Sequence, residues 1–145
     1  MPALAAREPA DLVPLGKTNF MAENDITRQP IQNGKSRLAV HRFPGGGGLV
    51  WCVASAPDTT KDLAGQIHDV LAAIDALLVA GGTTRSRIVK AEVVVTDHDR
   101  KPDFDAIWRE WIPAGCGPVR SFVESRMPDG DLVEVIATAV LPAEA

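Results

Sequence analysis

The sequence predicts an α+β domain, one mixed β-sheet with two helices packed on one of its faces, in the order ββαβαββ. Three observations predict it. Two β-rich runs flank a Pro- and Gly-rich connection ahead of the first helix, Leu63 to Leu78 repeats apolar residues at three- and four-residue intervals, and two more β-rich runs close the chain. At 145 residues the chain suits one domain with a core of ordinary size.

Residues 1–33 are rich in Ala, Pro and polar residues, carry Pro2, Pro9, Pro14 and Pro30 as breakers, and are expected to form a loosely ordered extension ahead of a domain spanning residues 34–145. Ser36 to Phe43 and Leu49 to Ser55 flank Pro44 and the four glycines Gly45 to Gly48, which predicts a first hairpin. Thr59 or Thr60 is placed to cap a helix whose Leu63, Ile67, Val70, Leu71, Ile74, Leu77 and Leu78 share one face, with His68 and Asp69 toward solvent. Gly81-Gly82 ends that helix, since its C-terminus favours a left-handed residue. Ile88 to Val95 is β-branched and reads as a strand. Pro102 fits the first turn of a second helix, whose Phe104, Ile107, Trp108 and Trp111 form one stripe before Pro113 stops it. Gly117 to Leu141 holds two β-rich runs joined by a turn rich in Pro, Asp and Gly, which reads as a closing β-hairpin. With both helices on one side, the other sheet face is left apolar and uncovered, and burial against further copies of the chain is the expected solution.

Several function classes are disfavoured at this level. A formal net charge of −4, with Lys and Arg scattered along the chain, argues against nucleic-acid binding. No apolar run approaching the roughly 20 residues of a membrane span stands out, nor does the pattern of a signal peptide, so no membrane partner and a cytoplasmic location are expected. Cys52 and Cys116 make no disulfide framework, and without Cys-x-x-Cys and with three scattered histidines no metal site is visible. The tetraglycine leads into a strand-like run and lacks the spacing of a phosphate-binding loop. No cofactor is implied.

Two charges stand out in the closing runs. Arg120 and Glu134 each lie among Val, Phe, Leu and Ile, where a charge needs a partner or a purpose. A guanidinium offers a fork of donors that matches a carboxylate, which makes Arg120 a candidate anchor for a small acid. The competing role is an ion pair with Glu124 or Asp131 at a subunit interface. A carboxylate near an apolar wall holds its proton more tightly and can exchange it with water near neutral pH, which suits Glu134 to general acid–base work. Its competing role is pairing with Arg126 or Arg120.

Pro118-Val119-Arg120-Ser121-x-Val123-Glu124, the Pro-Asp turn and Leu132-Val133-Glu134-Val135-Ile136-Ala137 resemble the C-terminal signature of the RidA family, also called YjgF or L-PSP. Gln66 to Gly81 looks like that family's first helix, Ile88 to Val95 like the strand after it, and Phe104-x-x-x-Trp108-x-x-Trp111 like its second helix; the similarity spans about Leu38 to Leu141. The resemblance implies a chorismate-mutase-like fold and a homotrimer with ligand clefts between neighbouring subunits. It also implies that Arg120 holds a substrate carboxylate and that Glu134 handles the hydrolytic water. The sequence departs from the family pattern at other pocket positions. Val53-Ala54 stands where the deaminases carry Ser-Gly, with Ser55 one place later; Asp105 replaces an Asn, Phe122 a Cys, and the chain has no tyrosine. Val53, Ala54, Asp105 and Phe122 are therefore expected substrate-binding positions with altered polarity, and substrate choice is expected to differ.

Between Val123 and Glu134 the chain is one residue shorter than the family signature, and side-chain parity makes this matter. A two-residue Asp129-Gly130 turn would send Arg120 and Glu134 to opposite faces, whereas a three-residue turn or a bulge would put them on one. If they part, Glu124 becomes the carboxylate to consider. The leading expectation is hydrolysis of a 2-aminoacrylate-type enamine or imine to a 2-oxo acid and ammonia. A close variant acts on an aminomuconate-like acid. The alternative from another class is a non-catalytic trimer that senses a small carboxylate, and a ribonuclease activity ranks last for an acidic chain.

Overall fold

Seven strands and two helices make up the regular structure of the computed structural model, which describes residues 21–23 and 25–143, with side chains from Asp25 onward. In chain order they are β1 (Met21–Glu23), β2 (Ile26–Ile31), β3 (Lys35–Arg42), β4 (Gly48–Ser55), α1 (Leu63–Gly81), β5 (Ile88–Val95), α2 (Lys101–Trp111), β6 (Val119–Glu124) and β7 (Val133–Leu141). From Lys35 onward this is the expected order. The strands form one mixed sheet, arranged β1-β2-β3-β4-β7-β5-β6.

The sheet begins earlier than residue 34. Strands β1 and β2 both lie within the stretch expected to be a loosely ordered extension, while residues 1–20 lie outside the described residues. Pro30 had argued against a strand there. It is accommodated where the β2–β3 register shifts between Gln29 and Pro30, and β1 pairs only with residues 26–28 of β2, so Pro30 interrupts no ladder on that side.

The first hairpin forms as expected, with β3 and β4 antiparallel around the glycines. Gly48 shows why a side chain fails there: at φ +156° an added Cβ would lie 2.0 Å from the carbonyl oxygen of His41. Helix α1 starts at Asp62, whose Oδ1 accepts from the Gly65 amide at 2.9 Å, so Asp62 rather than Thr59 or Thr60 is the cap. Gly82, left-handed at φ 95°, closes it and donates its N–H to Leu78 and Val79.

Helix α1 is long and apolar enough to cross a membrane by length and composition alone, a feature the sequence reading had not credited. Its apolar stripe is spent elsewhere. Ile67, Val70, Leu71, Ile74, Leu77 and Leu78 are buried in one core with Leu38 and Val40 of β3, Val50 and Cys52 of β4, and Ala137 and Ala139 of β7. Helix α2 adds Phe104 and Trp108 to the same core, its Pro102 in the first turn. Along β7, buried residues alternate with half-buried Glu134, Ile136, Thr138 and Val140, so one side of the strand meets the helices and the other meets none. Leu49, Trp51 and Val53 of β4 share that open side, and Trp51 is 36 % exposed.

The closing hairpin does not form. Strand β6 pairs in parallel with β5 at the sheet edge, and β7 runs between β4 and β5, antiparallel to both. The physical reason lies in the strands themselves. Strand β7 is buried along one face and only half-exposed along the other, as suits a central strand, whereas four of the six β6 residues are exposed, as an edge permits. Residues 125–132 carry the chain past β5.

Candidate functional site

Arg120 is held at the edge of the sheet with its side chain under helix α2. It lies directly beside buried Ala91 of β5 in the parallel register, and side-by-side residues on neighbouring strands point to the same face. Helix α2 supplies the rest of its surroundings. Lys101 and Asp105 are one turn apart, as are Phe104 and Trp108, so one pair carries charge along a half-buried flank while the other carries rings into the core. The Arg120 guanidinium carbon lies 5.4 Å from the Phe104 ring centre, 5.3 Å from Trp108 and 5.8 Å from Phe122. Three ring faces thus accommodate the planar cation and shield it from water.

The charge partner of Arg120 is Asp105. Its Oδ1 accepts from Nη2 of Arg120 at 2.5 Å, and its Oδ2 accepts from Lys101 Nζ at 2.6 Å. The Asp105 carboxyl is held below its ordinary range, because those hydrogen bonds and charges together outweigh its partial burial, the largest single effect and an opposing one. Glu124, named as a possible partner, instead accepts from the His98 backbone N–H at 2.9 Å. Phe122 lies on the same face as Arg120, packing on Phe104 at 5.4 Å and on His98 at 5.3 Å between ring centres.

Glu134 is elsewhere. It stands opposite Ser55 of β4 and Val94 of β5 on the open side of the sheet. Burial is the main cause that raises its proton affinity above the ordinary carboxylate value, Asp131 adds to it, and Lys35 opposes it. Strand β5 separates Glu134 from the β6 edge, and Arg120 faces the other way. Within the chain the two residues lie on opposite faces, the outcome that sequence parity had made conditional on the turn. Val53, opposite Ile136, shares the open side with Glu134, whereas Ala54, opposite Val135, points into the core and is 9 % exposed.

The structure therefore brings together Arg120, Asp105 and Phe122, and sets Glu134 and Val53 apart from them. Sequence reasoning had assigned Phe104 and Trp108 only to a core stripe and had passed over Lys101. The four-residue spacing of Lys101 and Asp105 on a helix was the signal that could have found it. Gln66 was also missed. It is fully buried, and its Nε2 donates to the carbonyls of Gly130 at 2.8 Å and Lys61 at 3.1 Å while its Oε1 accepts from the Leu132 amide at 2.9 Å. This clamp ties the residues that lead into Glu134 to the start of α1. No group of His, Cys, Asp and Glu suited to a metal ion occurs among the described residues. Both cysteines are free, and burial pushes the Cys52 thiol up to about 12.

Residues 52–141, which include Arg120, Asp105, Phe122 and Glu134, match the family of endoribonuclease L-PSP. The chain belongs to this family. A RutC family protein of Haemophilus ducreyi is 29% identical over 118 residues, covering 80% of this chain and 97% of that one. The RutC family protein YoaB of Escherichia coli is 33% identical over 60 residues, 41% of this chain and 53% of its own. Among solved structures, a YjgF family member from Neisseria meningitidis superposes with a TM-score of 0.72 at 25% identity, covering 83% of this chain and 98% of that one. The Rid family protein YyfA from Yersinia pestis gives 0.64 at 28% identity, covering 77% and 90%. The mixed sheet with two helices is thus the L-PSP fold, carried by a divergent member.

Proposed function

We propose that this L-PSP family chain hydrolyses the imine or enamine of a 2-oxo acid, working as a homotrimer in the cytoplasm. The observation that carries the proposal is the ring-enclosed guanidinium of Arg120 at a free sheet edge. A planar cation so placed offers its remaining N–H donors to a carboxylate with little loss of side-chain freedom. Glu134 supplies the second function. As a carboxylate of raised proton affinity, Glu134 takes a proton from water as the water oxygen attacks the C=N carbon and passes it to nitrogen. It then takes the hydroxyl proton of the resulting carbinolamine as the C=O forms, and delivers it to the nitrogen as the C–N bond breaks. Imine and water become 2-oxo acid and ammonia, with no redox step and no cofactor.

Because Arg120 and Glu134 lie on opposite faces of one protomer, this chemistry requires the Arg120 edge of one copy to meet the Glu134 face of another. The open apolar side, with Leu49, Trp51, Val53 and Ile136, supports such an assembly, since a large uncovered patch is costly for a monomer. The two free thiols fit a reducing compartment. One observation favours the second reading, a trimer that binds a small carboxylate without turning it over: Asp105 already neutralises part of the Arg120 charge.

Ammonia release from imino acids generated by an amino-acid oxidase separates the two. The enzyme reading expects wild-type release above the buffer rate and a fall of about 10²-fold or more in Glu134→Gln, with carboxylate binding kept. Turnover undiminished in Glu134→Gln would sink the role given to Glu134. Wild-type release at the buffer rate, with binding intact, would establish the sensor reading.

A further inference from the structure

The Arg120 cluster contains a carboxylate of its own. Asp105 reaches Arg120 with one oxygen and Lys101 with the other, at 2.5 and 2.6 Å, and its side chain is only 25 % exposed. Arg120 is 17 % exposed and walled by three rings, so water screens this group poorly. Asp105 takes only one edge of the guanidinium, whose five N–H donors leave others for a ligand. Two cations and one anion leave the cluster with a single positive charge.

We infer that Asp105 is a specificity-determining residue, an internal carboxylate that restricts the Arg120 site to ligands presenting one carboxylate and disfavours two adjacent anionic groups. The inference deepens the proposed function and rests on Arg120 as the carboxylate anchor. A single carboxylate balances the remaining charge. A second, adjacent anionic group meets the ionised Asp105 at close range with no cation left to offset it. Asp105 cannot swing aside cheaply, because leaving breaks two charge-assisted hydrogen bonds and strips Arg120 of its partner. Lys101 is the second half of the device. Without it the Arg120–Asp105 pair is neutral and attracts an anion weakly.

Pyruvate and oxalate make a suitable pair of probes, since they are nearly isosteric and oxalate replaces the methyl group by one oxygen, which turns the keto group into a second carboxylate. Calorimetric titration of the full chain is expected to show pyruvate binding more tightly than oxalate. In Asp105→Asn, which keeps the shape and one acceptor for Arg120, both ligands bind more tightly, and the preference moves toward oxalate by about tenfold. Lys101→Met is expected to act in the opposite direction, weakening both ligands and oxalate by the larger factor. An unchanged oxalate-to-pyruvate ratio in both variants overturns the inference, as does loss of pyruvate binding in a folded Asp105→Asn protein. Should Asp105→Asn fail to fold, the Lys101→Met ratio decides alone. An Arg120→Lys arm separates this result from the anchor reading. Binding that weakens in Arg120→Lys while the ratio ignores Asp105 and Lys101 defeats only the specificity role; binding indifferent to Arg120→Lys, or no binding in any variant, defeats the anchor and this inference together.

Discussion

The two sides of the sheet treat a lone ionisable residue in opposite ways. Under α2, Arg120 is surrounded by Phe104, Trp108 and Phe122 and is answered by Asp105, whose carboxyl is held below its ordinary range. On the open side, Glu134 stands between Ser55 and Val94, and burial raises its proton affinity. One environment is completed within the chain and the other is not. The difference teaches that a charge packed under a helix can find its rings and its counter-ion within the chain, whereas Glu134 on the open side is burdened by burial with only Lys35 opposing it.

The largest effect is expected from breaking the helix-covered side. Phe104 is 1 % exposed and stacks on Trp108 at 5.7 Å, so Phe104→Ala should cost about 3–5 kcal/mol in denaturant unfolding. A cost below about 1 kcal/mol would mean that the rings around Arg120 are not part of the core. On the open side the corresponding change should spare the protomer. Trp51→Glu is expected to leave the helical circular dichroism unchanged while light scattering shows the proposed trimer falling to single chains. A trimer that survives a charge at Trp51 would remove that face from the interface.

The smallest effects, and the sharpest comparison, come from pH. The folded-state affinity of Asp105 for its proton is depressed, so its contribution to stability is present above the ordinary value of 3.8 and is lost as pH falls through the folded value. Glu134 has the reverse sign. Its raised value means that ionisation costs stability, a cost absent below 4.5 and complete once pH has risen past the folded value. Asp105→Asn should therefore flatten the acid limb of a stability profile, and Glu134→Gln should remove a decline that sets in as pH rises above 4.5. Chemical denaturation at a series of pH values tests both. A Glu134→Gln profile parallel to wild type above pH 4.5 would contradict the account of its burial.

Local signals were legible residue by residue. The apolar spacing from Leu63 to Leu78, the left-handed stop at Gly82, Pro102 in the first turn of α2 and the tetraglycine hairpin each depend on a few neighbouring residues. The charged positions Arg120 and Glu134 were legible too, because a charge in a β-branched run is conspicuous. The strand at Ile26–Ile31 was not, since Pro30 signals a break and its tolerance depends on the register of β3 beside it.

By itself, then, the sequence determined which segments from Lys35 onward are helices and strands, the class of fold, and the two ionisable groups that demand explanation. Only the tertiary structure decided where those groups face. Consecutive strands β6 and β7 are not paired, because β5 lies between them, and with the hairpin gone no local turn rule relates Arg120 to Glu134. Likewise Asp105 and Arg120 are 15 residues apart and meet only because α2 packs over the β5–β6 edge. Periodicity is written in neighbouring residues, whereas strand order, facing and charge pairing depend on contacts between distant ones, which form when the core closes.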